Sequence, residues 1–245
     1  MSLGQCCASG FKHDGTPSGI FSELNGVKTY VSLPKGEHDK TKALLFLTDI
    51  FGTELPNGQL LADSFAENGI AVYMPDYLHG DAISFEEMNS GKVDLMAWLG
   101  KHNKDVTRPA IDKVVSHLKA QGVQKFSAIG YCFGGRYVTD LVLDSVASVG
   151  VVAHPSLLEV PKDIEALNKS DGYFLWLNAG DDYMFDKEKQ NQAREIIKGN
   201  QKHKMIDYEG VGHGFAIRGD PKDEHTRKAA DDAFVQSVNF IKSNL

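Results

Sequence analysis

The stretch Lys125–Asp140, KFSAIGYCFGGRYVTD, restricts the fold more than any other part of the chain. An apolar run from Phe126 to Ile129 leads into Gly130-Tyr131-Cys132-Phe133-Gly134-Gly135. Val138, Leu141 and Val142 then recur at the spacing of one buried helical face. Where a strand turns sharply into a helix, the two backbones pass too closely for side chains, and glycines two before and two after the central residue meet that demand. The pattern predicts a nucleophile elbow with Cys132 at its tip, in a strained backbone conformation. A thiol there faces the free N–H groups and partial positive charge of a helix N-terminus. Both favour a thiolate and an oxyanion formed beside it. A small buried cysteine in a tight turn gives the same local pattern, so partners elsewhere must decide.

Composition narrows the classes. With 245 residues, 42% of them hydrophobic and 24% charged, the chain can bury one large α/β core. A net charge of -7 without a dense basic cluster argues against nucleic acid or an anionic membrane as partner. No apolar run approaches the ~20 residues of a membrane span, and the start, MSLGQCCASGF, lacks the basic and long apolar segments of a signal peptide. Three cysteines, two of them adjacent (Cys6 and Cys7), make no disulfide framework, and a cytoplasmic setting is expected. No histidine pair has metal-ligand spacing, so neither metal nor cofactor is expected.

Along the chain, residues 1–18 read as an irregular arm. Gly19–Leu24 and Val27–Leu33 read as strands joined by the hairpin turn Asn25-Gly26. Ala43–Thr48 is a fully apolar strand that ends in Asp49-Ile50-Phe51-Gly52, where open α/β sheets bind ligands. Gln59–Asn68 is an amphipathic helix closed by Gly69. Ile70–Met74 is the next strand, and Asp94–Lys101 and Val106–Gln121 are helices. After the elbow come the strand Ser148–His154, the strand Tyr173–Asn178, the helix Asp186–Lys198, the strand His203–Tyr208 and a terminal helix within Pro221–Leu245. Strands and helices alternate with no polar linker, which predicts a single domain over residues 1–245 with a doubly wound, mostly parallel sheet. The connection 155–172 is too short for a cap domain, so a shallow pocket for small substrates is expected.

Two later strand ends carry chemistry. Ala179-Gly180-Asp181-Asp182 follows one, and Glu209-Gly210-Val211-Gly212-His213-Gly214-Phe215 follows the other. Nucleophile, then acid, then histidine, each after its own strand, is the α/β-hydrolase order. Cys132 would be the nucleophile, His213 the base and Asp182 the acid that orients it, with the adjacent Asp181 as the rival acid. His154 also follows a strand, but next to Pro155 it reads as a packed or hydrogen-bonded residue. His13, His38, His102, His117 and His225 lie in polar or amphipathic stretches and read as solvated.

These pieces together resemble the dienelactone hydrolase family of α/β-hydrolases. The resemblance rests on Thr48-Asp49-Ile50-Phe51-Gly52, Met74-Pro75-Asp76, Gly130-Tyr131-Cys132-Phe133-Gly134-Gly135, Asp182 in its Ala-Gly-Asp-Asp setting, and Gly212-His213-Gly214-Phe215-Ala216. The N-terminal Cys-Cys, His13-Asp14-Gly15-Thr16-Pro17 and Gly80-Asp81-Ala82-Ile83 resemble the fungal branch. The resemblance implies hydrolysis of enol-lactones or related activated esters through an acyl-cysteine. Its triad would be Cys132, His213 and Asp182, and its oxyanion hole the N–H groups of Ile50 and Phe133. It also implies a small-molecule ester or lactone substrate, bound as a monomer or homodimer.

Asp49 stands where the bacterial enzymes carry a glutamate that interacts with the thiol, and so becomes a candidate modulator of Cys132. Those enzymes hold the substrate carboxylate with two arginines. Here the loop after Asp76 offers Tyr77 and His79 instead, and Arg218 follows His213. A thioesterase, a cysteine peptidase, or a non-catalytic binding protein on the same scaffold are the alternative readings.

Overall fold

The computed structural model describes residues 15–245. Cys6, Cys7, His13 and the arm up to residue 14 lie outside the described residues. Asn25 and Gly26 take φ of 47° and 78°, the left-handed pair that a two-residue hairpin turn requires, and they join β1 (Ile20–Leu24) to β2 (Val27–Ser32). The antiparallel β2 next pairs with β4 (Val72–Pro75). From there the sheet is parallel through β3 (Lys42–Leu47), β5 (Lys125–Tyr131), β6 (Val149–Ala153), β7 (Tyr173–Asp181) and β8 (His203–Gly212). The order across the eight strands is β1-β2-β4-β3-β5-β6-β7-β8.

The period of two along each buried strand sorts its side chains between two cores. On one face Leu44, Phe46, Ile129, Val151 and Leu175 meet α1 (Pro56–Glu67) and the terminal α9 (Glu224–Asn244). On the other, Leu45, Leu47, Ala128, Val152 and Trp176 meet α4 (Lys104–Ala120), α5 (Gly134–Leu143), α6 (Lys162–Lys169) and α7 (Lys187–Ile197). Among the described residues no helix is long and apolar enough to cross a membrane.

Several elements differ from the sequence reading, for physical reasons. Pro56 sits in the first turn of α1, where its missing N–H costs nothing, so the helix starts before Gln59. β7 and β8 pair past their expected ends, through an irregularity between Ala179 and Asp181. Three short helices were not expected, one of them Phe215–Arg218 after the last strand. α2 (Phe85–Asn89) is held by a capping box between Ser84 and Glu87 and buries none of its residues. α6 buries only Asp163, Ile164 and Leu167. His102, expected in solvent, is 4% exposed. It caps α3 (Leu95–Lys101), and its ring stacks on Trp98 with centroids 3.9 Å apart. The described end of the arm is tied down: Ser18 and Gly19 donate their N–H groups to the buried carboxylate of Asp63.

The parallel strands end on one side of the sheet, and β3, β5 and α5 cross there with no spare volume. A Cβ on Gly134 would stand 2.2 Å from the Leu47 carbonyl oxygen, and one on Gly130 would stand 2.5 Å from the Gly134 carbonyl oxygen. Neither neighbour can yield, because both are backbone. Gly134→Ala is therefore expected to cost about 3 kcal/mol or more of stability, read as a lowered midpoint in urea. An unchanged midpoint would mean that β3 and α5 can part without loss.

Candidate active site

Cys132 ends β5 with φ of 50° and is 8% exposed. Its backbone is held on both sides. Its N–H donates to the Ala153 carbonyl at 3.2 Å, and its own carbonyl accepts from Gly135 and from Ser156, each at 3.0 Å. These bonds hold a left-handed, non-glycine conformation that would otherwise relax, and they aim the sulfur out of the elbow.

Asp182 follows β7 and is buried, whereas Asp181 is exposed. The acid facing His213 is therefore Asp182. Its Oδ1 accepts N–H bonds from Met184 at 2.8 Å and Phe185 at 3.3 Å, which fix the carboxylate. His213 Nδ1 lies 2.9 Å and 3.0 Å from the two Asp182 oxygens. His213 reaches this position because Gly214 turns the chain at φ of 96° into α8 (Phe215–Arg218). The opposite ring nitrogen, Nε2, is buried and has no hydrogen-bond partner among the described residues.

Burial alone would push the His213 imidazolium toward the neutral form. The hydrogen bond and charge of Asp182, with the nearby Cys132, outweigh it and lift the His213 pKa to about 9. Behind His213, His154 packs edge-on at a centroid distance of 5.0 Å. Burial, with His213 and Arg218 nearby, keeps the His154 pKa well below its usual value, so this ring is neutral. Its place agrees with a packed role; among the described residues neither of its nitrogens has a hydrogen-bond partner.

Cys132 and His213 open onto a cleft of about 190 Å³. Its walls are mostly apolar: Ile50, Phe51 and Phe133 near the sulfur, and Met88, Leu95 and Leu99 from α2 and α3 opposite. Tyr183 lies over His213 with centroids 5.3 Å apart and is 76% exposed. The N–H groups of Ile50 and Phe133 donate to no acceptor among the described residues, and both residues line the cleft with Cys132.

Asp49 is fully buried. Its Oδ1 accepts from the Phe51 N–H at 3.0 Å and its Oδ2 from Arg218 Nε at 2.6 Å. Burial raises its pKa, while the Arg218 guanidinium and the Phe51 N–H oppose the rise. The carboxylate therefore meets Arg218 rather than the sulfur. Arg218 in turn lies over the Phe51 ring at 4.8 Å and forms part of the cleft wall.

The structure does not bring the other two substrate-contact candidates to this cleft. Tyr77 is wholly buried, with its hydroxyl on the Thr48 carbonyl at 2.5 Å, because its ring completes the core against Phe133 and Tyr137. His79 turns outward at φ of 57° and meets the Val106 carbonyl. Residues that sequence reasoning missed are Ser156, Tyr183 and the α2–α3 wall. The signals available were a hydroxyl just past a strand end, an aromatic beside the acid, and apolar spacing from Met88 to Leu99. Among the described residues, no group of three or more His, Cys, Asp or Glu could hold a metal ion.

A histidine whose folded pKa is raised contributes stability that is fully present below the ordinary value near 6.5. That contribution fades as pH rises through about 9. Asp182→Asn removes the anion but leaves the burial. The His213 pKa is then expected to fall well below 9, toward its ordinary value near 6.5, followed by NMR titration of its ring, with the stability difference from wild type largest at acidic to neutral pH. A His213 pKa still near 9 in that variant would show that Asp182 does not set it.

The chain matches the dienelactone hydrolase family over residues 27–245. It is 35% identical to a hydrolase, tropI, of Talaromyces stipitatus, over 96% of this chain and 94% of that protein. It is 33% identical to hydrolase pyvD of Aspergillus violaceofuscus, over 98% and 96%. Among solved structures, a putative dienelactone hydrolase from Klebsiella pneumoniae superposes with a TM-score of 0.74 at 15% identity, covering 92% of this chain and 98% of that one. A dienelactone hydrolase-like promiscuous phosphotriesterase from metagenomic libraries gives a TM-score of 0.70 at 18% identity, covering 94% and 99%. With an elbow cysteine, a buried Asp–His pair and the strand order of an α/β-hydrolase, the chain belongs to the dienelactone hydrolase family.

Proposed function

We propose that this chain, acting as one catalytic domain, hydrolyses small, largely apolar esters or lactones through an acyl-cysteine. The observation that carries the reading is the buried Asp182–His213 pair beside a cysteine held at φ of 50° on a strand–helix elbow. His213 accepts the thiol proton and Asp182 stabilises the imidazolium. The sulfur attacks the substrate carbonyl, and the developing oxyanion takes the free N–H groups of Ile50 and Phe133. As the carbon–oxygen bond breaks, His213 returns the proton to the leaving alkoxide, or to the ring-opened end of a lactone. Water, deprotonated by the same histidine, then attacks the thioester, and the sulfur leaves as the acid product forms.

The cleft supports the substrate class. About 190 Å³ takes a small acyl group, and the facing walls are hydrocarbon and aromatic. Arg218 supplies a guanidinium to this wall, with its charge already balanced by Asp49. Asp49 thus acts on the site through Arg218, and the neutral pair favours an uncharged substrate over a diacid lactone.

Cys132→Ala and His213→Ala are each expected to lower kcat by about 10⁴-fold with the fold intact. Intact-protein mass spectrometry should trap an acyl adduct on Cys132 from a slowly turned-over activated ester. Near-normal turnover in either variant would remove the triad, and a panel of esters, lactones and thioesters without any turnover would favour a binding protein. Across that panel, neutral short-chain esters are expected to exceed dicarboxylates in kcat/KM by about tenfold or more, and the reverse order would mean that Arg218 leaves Asp49 to bind a carboxylate.

A further inference from the structure

The turn after β6 contains two non-glycine residues in the left-handed region within four positions, His154 at φ 38° and Leu157 at φ 62°. Such a conformation persists only where neighbours over-determine it. Here those neighbours are the catalytic elements themselves. The His154 N–H donates to the Leu177 carbonyl at 2.9 Å, and the His154 ring packs on His213. The ring of Pro155 lies so close to Gly135 that a Cβ there would stand 2.8 Å from the Pro155 Cβ. The Ser156 N–H donates to the Cys132 carbonyl at 3.0 Å. One turn is thus fastened both to the nucleophile's elbow and to the back of the histidine.

Its product is a hydroxyl aimed at the sulfur. Ser156 Oγ lies 3.8 Å from Cys132 Sγ, within the range of a sulfur hydrogen bond, and the serine is 4% exposed where it lines the cleft. While the thiol is neutral either the S–H or the O–H could donate to the other, but a thiolate can only accept, so in that state the hydroxyl must be the donor. We infer that Ser156 is a further catalytic residue, whose Oγ–H donates to the Cys132 sulfur and stabilises the thiolate before attack.

The inference rests on Cys132 being the nucleophile. Other groups also act on the sulfur: His213 from the loop after β8, Tyr183 beside Asp182, and the buried Tyr77. Asp182 and the Asp49–Arg218 pair stand one residue further off. Among these, the Ser156 hydroxyl is the uncharged donor in hydrogen-bond contact, so removing it changes one interaction and no net charge.

The experiment is the pH dependence of iodoacetamide alkylation, followed on the Cys132 peptide by mass spectrometry so that Cys6 and Cys7 do not contribute. Ser156→Ala and Ser156→Gly both delete the hydroxyl, and either suffices if the other folds poorly. Each is expected to raise the alkylation midpoint by about one pH unit, since hydrogen bonds to charged groups are worth that much. Each should also lower kcat/KM about tenfold at neutral pH, a loss that shrinks as pH passes the new midpoint. Ser156→Thr, which keeps the hydroxyl, should retain the wild-type midpoint. Superimposed alkylation curves, with any activity loss equal at every pH, would make Ser156 a packing residue and overturn the inference. A shifted midpoint in a protein that hydrolyses no ester would refute the proposed function and, with it, the catalytic role of Ser156, leaving only its hydrogen bond to the thiolate.

Discussion

The site depends on the close passage of β3, β5 and α5. Gly130 and Gly134 let α5 leave the sheet directly beneath the Leu47 carbonyl. That contact fixes where the elbow ends relative to the strand carrying Asp49 and Ile50. Cys132, Phe133 and Ile50 thus all stand at the ends of strands that this contact holds together. Precision of this kind comes from backbone against backbone, which has almost no compliance. The left-handed cysteine costs of order 1–3 kcal/mol, and the bonds from Ser156 and Gly135 to its carbonyl are what make that conformation tolerable.

Two buried carboxylates show how environment divides roles. Asp182 is surrounded by donors: two backbone N–H groups and the His213 ring. A carboxylate so supplied is fixed in place and faces the His213 ring. Asp49 is just as buried but lacks a histidine, and its partner is a guanidinium that is always charged. Removing either member of that second pair would strand the other charge, which is why such pairs persist even when their net contribution to stability is small. The pair has a geometric effect as well. It lays Arg218 flat over Phe51 and so closes one side of the cleft.

The sheet and the elbow were legible in the sequence because each signal was local. Alternating burial, a strand ending in Gly-Tyr-Cys-Phe-Gly-Gly, and Asn-Gly between two strands need no tertiary information to be read. The order of Cys132, Asp182 and His213 was legible for the same reason, since each stands just past a strand. The choice between Asp181 and Asp182 was not, because adjacent residues differ only in which way the strand end turns them, and only the fold buries the second. Tyr77 and His79 misled in the opposite way. Their position after a strand end suggested the cleft, but a large aromatic there gains more from the core between Phe133 and Tyr137. His102 followed the same logic, with its polar helix hiding a stacking partner four residues back in Trp98.

The substrate wall was the least legible part, and the reason is thermodynamic. α2 buries none of its residues, so no hydrophobic face held it to a readable period, and α3, legible as the helix Asp94–Lys101, buries only Trp98 and so did not announce itself as a wall. Phe85, Leu95 and Met96 instead remain partly in water, and Leu95 among them lines the cleft. An apolar rim that the monomer leaves wet keeps its burial free energy in reserve for whatever enters. Cys132, Asp182 and His213 are carried by segments that the core cannot release, while the α2–α3 wall of the cleft is carried by segments that bury little. Substitutions at Met88, Leu95 or Leu99 can therefore change which ester fits without disturbing the elbow, and this division lets one scaffold serve many small substrates.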